Sequence, residues 1–325
     1  MKFENITPSG VAEGFVLLKS ADVKTSSKGG KYLDATISNS SGEMNAKLWD
    51  YSEALYGEFE SGMVVKVRGT VSKYNGVDQF RIERIRPAVA DDNIDVNKFV
   101  PSSGNSGEDM YNALVDIASE IKDSDIRSIV LAILKKKKEA LLYWPAAFKM
   151  HHAVRGGLLC HTLAIVRLAQ GVCNVYPFVD EELLVAGAIL HDIGKLEEFE
   201  TNSVGLATGY SVKGNLVGHL AGGAMLVEQT ANELGITSEV PMLLSHMLLS
   251  HHGNPEFGAA VLPQFLEAEL LSQLDLMDAT VYEISEAVSN VEKGSTTGRV
   301  FCLDNRKLYN HGRTKNTEYA PNLFK

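Results

Sequence analysis

The hydrophobic period of this chain changes once, near residue 90, and that change limits the folds open to it. Before it, apolar side chains recur at every second position: Tyr32 to Ser38 and Glu43 to Trp49 alternate, and Met63 to Ser72 is rich in β-branched residues. Period two marks half-buried strands, whereas a helix places its apolar residues three and four apart. Turn-forming runs separate the segments at 26–31, 39–42 and 74–76. The pair Asn75-Gly76 suits a type I′ hairpin, whose two central residues take positive φ. About five strands within 90 residues, with one short helix-compatible stretch at 51–59, predict an OB-fold barrel.

Residues 91–109 break the pattern. The runs DDNIDVNKF and PSSGNSGED have no apolar period and read as a linker. From Met110 the period becomes helical, first in YNALVDIASEI and then in SDIRSIVLAILKKKKEALLYW, where Ser124 can cap a helix and Pro145 helps to end it. Further helices are expected at about 156–174, 180–198, 215–234, 239–252 and 263–290. The fold class is therefore multidomain: an all-β barrel over 1–90, a linker over 91–109, an all-α bundle over 110–290, and a tail over 291–325. The tail is expected to be ordered to about Tyr309 and mobile beyond it.

With 45% hydrophobic and 22% charged residues among 325, the chain has ample material for a core. Apolar runs such as 183–190 fall short of the roughly 20 residues that span a bilayer, and MKFENITPSG lacks the apolar stretch of a signal peptide. The expectation is a cytoplasmic protein with no membrane partner. Cys160, Cys173 and Cys302 are odd in number and form no CxxC pair, which argues against disulfides and a thiolate zinc site. Residues 1–90 hold 12 Lys/Arg against 11 Asp/Glu, while the remainder holds 19 against 30. A basic surface on the barrel is thus compatible with an acidic whole.

Signatures of the P-loop, the dinucleotide fold, zinc proteases and serine hydrolases are absent. Eight of nine histidines instead lie between 151 and 252, and His191-Asp192 ends the apolar run LLVAGAIL. A lone helix histidine is more often a hydrogen-bonded core or surface residue than a ligand. His161, His191-Asp192, His219, His251-His252 and Asp275 form an ordered series on successive helices, and imidazole with carboxylate is the donor set expected for Mn, Fe, Zn or Mg.

The series resembles the HD-domain phosphohydrolases, for which HDIGK at 191–195 is a typical spelling. More narrowly, HHAVRGGLLCHTLAIVRL at 151–168, LSHHG at 249–253, DLMDA at 275–279 and FCLDNRKLY at 301–309, behind an OB-like N-terminus, resemble the YhaM-type 3′-to-5′ exoribonuclease family over nearly the whole chain. The resemblance implies that His161, His191, Asp192 and Asp275 hold one metal ion, with Asp192 bridging to a second completed by His219 and His251. Manganese heads the implied ions, with Fe, Co, Ni, Zn or Mg also compatible with these donors. The implied reaction is hydrolysis of single-stranded RNA, with single-stranded DNA tolerated, to nucleoside monophosphates by metal-activated water.

Asp192 and Lys195 are the expected catalytic pair, Lys195 following three positions later on one predicted helix and binding the scissile phosphate. His252 is open between metal ligand, phosphate contact and packing. His246 is read as a supporting or structural group, Asp278 as a supporting or helix-capping one, and Cys160 as a packed thiol. Substrate contacts are expected from His151, His152 and Arg155, and on the barrel from Lys28, Lys31 and Lys73. Lys24, Lys66, Arg68 and Arg81 could add to these, with Tyr32, Trp49, Tyr74 or Phe80 as stacking surfaces. Lys135 to Lys138 read as a solvated helix end or an RNA-channel wall. A homo-oligomer is expected. The alternative is an HD phosphohydrolase of nucleotides or cyclic dinucleotides that uses the barrel for assembly.

Overall fold

The computed structural model describes residues 10–27, 29–39, 42–74, 77–92, 94, 99, 105–147, 154–201, 207–289, 291–314, 319 and 321–324. The chain divides into two compact units, residues 1–102 with 201–208, and residues 103–200 with 209–325.

The first unit is a closed five-stranded barrel in the order β1-β2-β3-β5-β4. Its strands are β1 (Val11–Thr25), β2 (Lys31–Asn39), β3 (Gly42–Trp49), β4 (Val64–Tyr74) and β5 (Val77–Pro87), with the short helix α1 (Glu53–Tyr56) between β3 and β4. The alternation in β2 sends Leu33, Ala35 and Ile37 inward against Ala46 and Leu48 of β3 and Phe80 of β5. β1 is less regular, because Val16, Leu17 and Leu18 are all buried and its register against β2 shifts between Leu18 and Ser20. Such a bulge bends a strand and exchanges its faces, as barrel closure demands. Closure itself is the parallel pairing of Asn45–Lys47 with Gln79–Arg81. The tip of the predicted Asn75-Gly76 hairpin lies outside the described residues, but Tyr74 pairs with Val77 where β4 meets β5.

The second unit is helical. α2 (Gly107–Glu120) begins inside the segment read as linker, with the Ser106 hydroxyl accepting from Asp109 N. α3 (Ser124–Leu141) is capped by Asp123 rather than Ser124, its carboxylate accepting from Asp125 N and Ile126 N. Then come α4 (Gly157–Val175), α5 (Glu181–Leu190), α6 (Lys195–Glu198), α7 (Val212–Leu234), α8 (Val240–Ser250) and α9 (Leu266–Ser289), with a small β6 (Phe199–Thr201) and β7 (Ala207–Tyr210) pair before α7. α4 packs against α2, α5 and α9, and α7 against α3, α6 and α8.

Among the described residues α4 alone is long and apolar enough to cross a membrane, a length the sequence reading did not credit to any run. Its most apolar window is 61% buried inside the bundle, so packing accounts for its composition. The lysine run occupies the last turns of α3, with Lys138 in the final one. Lys136, Lys137 and Lys138 pair with Glu233, Glu197 and Glu108 at 3.7, 2.6 and 3.2 Å, so acidic side chains balance three of the four charges.

Glu197 also takes a hydrogen bond from Lys213, so it ties α3, α6 and α7 together. The two lysines hold its carboxyl down to about 2. A depressed carboxylate adds stability above its unfolded pKa and loses that stability as pH falls through the folded value. Glu197→Gln should therefore cost about 0.5–1 kcal/mol at pH 7, given its exposure to solvent, and nothing near pH 2. Urea titrations of both proteins between pH 7 and pH 2 check this, and a gap independent of pH would refute it.

Candidate metal centre

Two helices end where the polar cluster begins. α5 stops at Leu190 with His191 at its C-cap, and α8 stops at Ser250 with His251 at its C-cap. Each imidazole donates Nδ1–H to a carbonyl of its own last turn, His191 to Ala188 at 2.9 Å and His251 to Leu248 at 2.8 Å. A carbonyl can only accept, so the proton sits on Nδ1 and the Nε2 lone pair faces inward.

The other two buried rings are held by carboxylates. His161 of α4 has Nδ1 2.8 Å from Asp278 Oδ2, and His219 of α7 has Nδ1 3.0 Å from Glu198 Oε1. His219 follows directly on Gly218, whose φ of 71° interrupts α7 and starts a new helical segment. Only glycine adopts this conformation with ease, and the break lets His219 N also donate to Glu198 at 3.2 Å.

Asp192, 2% exposed, lies between the rings. Its Oδ2 is 3.3 Å from His191 Nε2 and 3.7 Å from His161 Nε2. Its Oδ1 is 3.5 Å from His219 Nε2 and 3.6 Å from His251 Nε2. Asp275 Oδ1 joins the first group, 3.1 Å from His161 Nε2 and 4.0 Å from His191 Nε2. One carboxylate thus offers a different oxygen to each of two donor groups. His252 adds a further imidazole beside the second, its ring 5.2 Å from that of His219 and its Nδ1 donating to the Phe257 carbonyl.

Three buried atoms in this cluster, Asp192 Oδ1, His219 Nε2 and His251 Nε2, have no hydrogen-bond partner among the described residues. An unsatisfied buried polar atom costs about 1–3 kcal/mol, so three converging on one point call for a common partner. Three acceptor atoms facing each other are satisfied by a cation, and the donor set therefore fits a divalent metal. His161, His191 and Asp192 form one group able to hold an ion, and His219, His251 and His252 another.

The electrostatics differ between the two ligand groups. Burial opposes charge on Asp192, yet Lys195 and His191 hold it well below the usual carboxylate range. Burial likewise opposes charge on His161, but Asp275 and Asp278 outweigh it and raise the imidazole to about 10, so an ion bound there displaces a proton from this ring. For His251 and His252, burial prevails and lowers the pKa, which favours the neutral ring that a metal needs.

Residues 158–280 match the HD domain family, and residues 13–88 match the OB-fold nucleic acid binding domain family. A protein of Listeria monocytogenes named 3′-5′ exoribonuclease YhaM is 37% identical over 91% of this chain and 94% of its own length. Its namesakes in Listeria welshimeri and Bacillus subtilis are 37% and 34% identical over 92% and 91% of this chain, covering 94% and 93% of theirs. The chain belongs to the YhaM 3′-5′ exoribonuclease family. The barrel and helical bundle expected from the sequence are this family's OB-fold and HD domain.

Within this YhaM-family chain several expectations need correction. Lys195 does not lie one turn along a common helix from Asp192. The predicted helix 180–198 breaks at 191–194, and Lys195 opens the separate helix α6. Its Nζ still reaches Asp192 Oδ2, at 2.6 Å, and both side chains are buried. Of the two roles open to His246 the structural one holds, its Nε2 accepting from Gln264 N at 3.0 Å. The half-buried guanidinium of Arg155 lies 5.2 Å from the Tyr143 ring centroid. The Cys160 thiol is packed, as expected, and burial pushes it up to about 12. His151, His152 and Lys28 lie outside the described residues. The tail does not become featureless after Tyr309: Tyr319 Oη donates to Asp278 at 2.7 Å, and Leu323 is buried.

On the barrel, Tyr32 and Trp49 form an adjacent pair with ring centroids 4.7 Å apart, and Trp49 is 41% exposed. Lys47, which the sequence reading passed over, sits 5.0 Å from one ring and 5.6 Å from the other. Phe80, named as a stacking candidate, is wholly buried in the barrel core. Lys31 and Lys73 are exposed, whereas Lys24 pairs with Asp34, and Lys66 and Arg68 flank Glu13. Glu198 is the main omission at the metal centre. Its signal was a second acid in LEEF directly after HDIGK, which reads as solvated surface until α6 is known to be buried.

Proposed function

We propose that this chain is a metal-dependent 3′-to-5′ exoribonuclease that hydrolyses single-stranded RNA to nucleoside monophosphates. The observation that carries this reading is Asp192, whose two oxygens face two separate sets of buried ligand atoms. Its chemistry matches the name borne by relatives that align over nine-tenths of the chain. A pair of divalent cations, manganese first, would be held by His161, His191, Asp192 and Asp275 on one side and by Asp192, His219 and His251 on the other. Such ions supply Lewis acidity and positive charge to a phosphodiester.

The protein's own groups prepare for this. Four Nδ1–H bonds fix the ring orientations in advance, so little reorganisation is needed when a ligand enters. Lys195 keeps Asp192 ionised, and because its ammonium already donates to that carboxylate we assign it to holding Asp192 rather than to the scissile phosphate. The Tyr32–Trp49 pair under Lys47 suits stacked bases along a negative backbone, which favours a polymer over a nucleotide or cyclic dinucleotide.

The test is a time course on 5′-labelled single-stranded RNA with Mn²⁺, run beside EDTA and Asp192→Asn. A ladder shortening from the 3′ end in the wild type alone is the expected result; intact RNA beside hydrolysed nucleotides would overturn the reading. Trp49→Ala should weaken RNA binding by about 1–3 kcal/mol, as loss of one base stack does, and leave metal uptake unchanged. Unaltered RNA affinity would remove the stacking role.

A further inference from the structure

The C-terminal segment brings a tyrosine to the back of the metal centre. Tyr319 Oη donates to Asp278 Oδ1 at 2.7 Å, and Asp278 Oδ2 is 2.8 Å from His161 Nδ1. Three parts of the chain therefore meet in one line: the tail, α9 and α4.

We propose that Tyr319 is a positioning residue for His161, setting the ring's orientation and tautomer and through them the affinity of the ion held by His161, His191, Asp192 and Asp275. This rests on the reading of His161 as a ligand. Asp278 is 5% exposed, and a carboxylate with a donor on each oxygen stays ionised and fixed in its plane. An ionised Asp278 can only accept from Nδ1, so when His161 gives up one proton to an incoming ion the remaining proton stays on that side and the Nε2 lone pair is left for the centre. Without the phenol one oxygen loses a donor, and the carboxylate can turn and take the imidazole with it.

Docking of the tail does not depend on the phenol oxygen. The Tyr319 ring lies 5.0 Å from that of Tyr282 on α9. Leu323 is 1% exposed, and Arg167 of α4 donates Nε–H to its carbonyl at 2.9 Å. The tail thus spans the seam between α4, which carries His161, and α9, which carries Asp275 and Asp278. The hydroxyl is the one part of Tyr319 that bears on the ligand, which makes Tyr319→Phe a clean probe.

The experiment is Mn²⁺ titration by calorimetry on the full-length wild type, Tyr319→Phe, Asp278→Asn and His161→Ala, with melting of each metal-free protein. Tyr319→Phe should weaken Mn²⁺ binding about 3- to 10-fold and Asp278→Asn about 10- to 100-fold, the range for groups that orient a ligand. The metal-free melting temperature of Tyr319→Phe should fall by only the few degrees that one lost hydrogen bond to a buried carboxylate costs. Its RNA turnover should fall at limiting Mn²⁺ and recover at saturation, with KM for RNA unchanged. A wild-type Mn²⁺ isotherm for Tyr319→Phe, with His161→Ala impaired, overturns the proposal and leaves the metal centre standing. A lowered metal-free melting temperature with unchanged Mn²⁺ affinity also overturns it, by assigning Tyr319 to structure alone. If His161→Ala binds Mn²⁺ as the wild type does, the centre itself is wrong and the proposal falls with it.

Discussion

Lys195→Met is expected to destabilise the metal-free protein by about 3–5 kcal/mol, the cost of leaving a buried charge without its partner. Asp192→Asn should cost a similar amount for the reciprocal reason, because the two groups meet at 2.6 Å with side chains 11% and 2% exposed. The double variant Asp192→Asn/Lys195→Met should be more stable than either single one, since it removes both charges together. Contacting residues depart from additivity in this way, and the departure measures their interaction. Activity should behave differently. Any protein with Asp192→Asn should lose on the order of 10³-fold in RNA turnover, the scale on which removal of one preorganised charge acts. Stability would thus return in the double variant while catalysis does not. Urea denaturation in the presence of a chelator and the RNA time course read the two quantities separately. Wild-type stability in Lys195→Met would show that the pair is not a buried ion pair, and near wild-type turnover in Asp192→Asn would remove Asp192 from the centre.

How the sequence announced this site is itself a matter of physics. Strand alternation in 32–38 and 43–49 was legible because each residue's face is decided locally, by parity along the strand. Closure of the barrel through β3 and β5 was not, since parallel pairing between segments 30 residues apart leaves no local trace. The ligand residues stood out for a similar reason: His and Asp at the end of an apolar run are costly unless they share a partner. Of their supports only Asp278 was legible, one turn after Asp275, and it does hold His161. Glu198 and Tyr319 are ordinary polar residues whose roles arise only when α6 packs against α7 and the tail against α9. The helix break at 191–194 is hidden by hydropathy, which continues through Ile193 within it and Leu196 beyond it, both buried. Gly194 was the one residue in that stretch that argued for an interruption.

Gly194→Ala should consequently be strongly damaging despite its small size. The backbone at Gly194 is right-handed helical, with φ of −65° and ψ of −21°, so alanine meets no conformational strain there. Helix propensity even favours alanine by about 1 kcal/mol. The obstacle is space: a Cβ at Gly194 would stand 2.1 Å from the His219 carbonyl oxygen and 2.9 Å from Gly223 N. Both are backbone atoms and cannot rotate aside, so α7 must move. The expected cost is about 1–3 kcal/mol or more, as for overpacking elsewhere in protein interiors. Because the displaced carbonyl belongs to His219, whose Nε2 lies 3.5 Å from Asp192 Oδ1, Mn²⁺ affinity should fall together with the melting temperature. Gly171→Ala supplies the control. Gly171 lies within α4, and a Cβ there meets nothing within 4 Å, so that variant should gain about 0.5–1 kcal/mol with unchanged Mn²⁺ binding. Thermal melts and Mn²⁺ titrations of the two variants decide the matter. Equal behaviour of Gly194→Ala and Gly171→Ala would mean that α6 does not approach α7 as closely as described, and that the position of His219 does not depend on that approach.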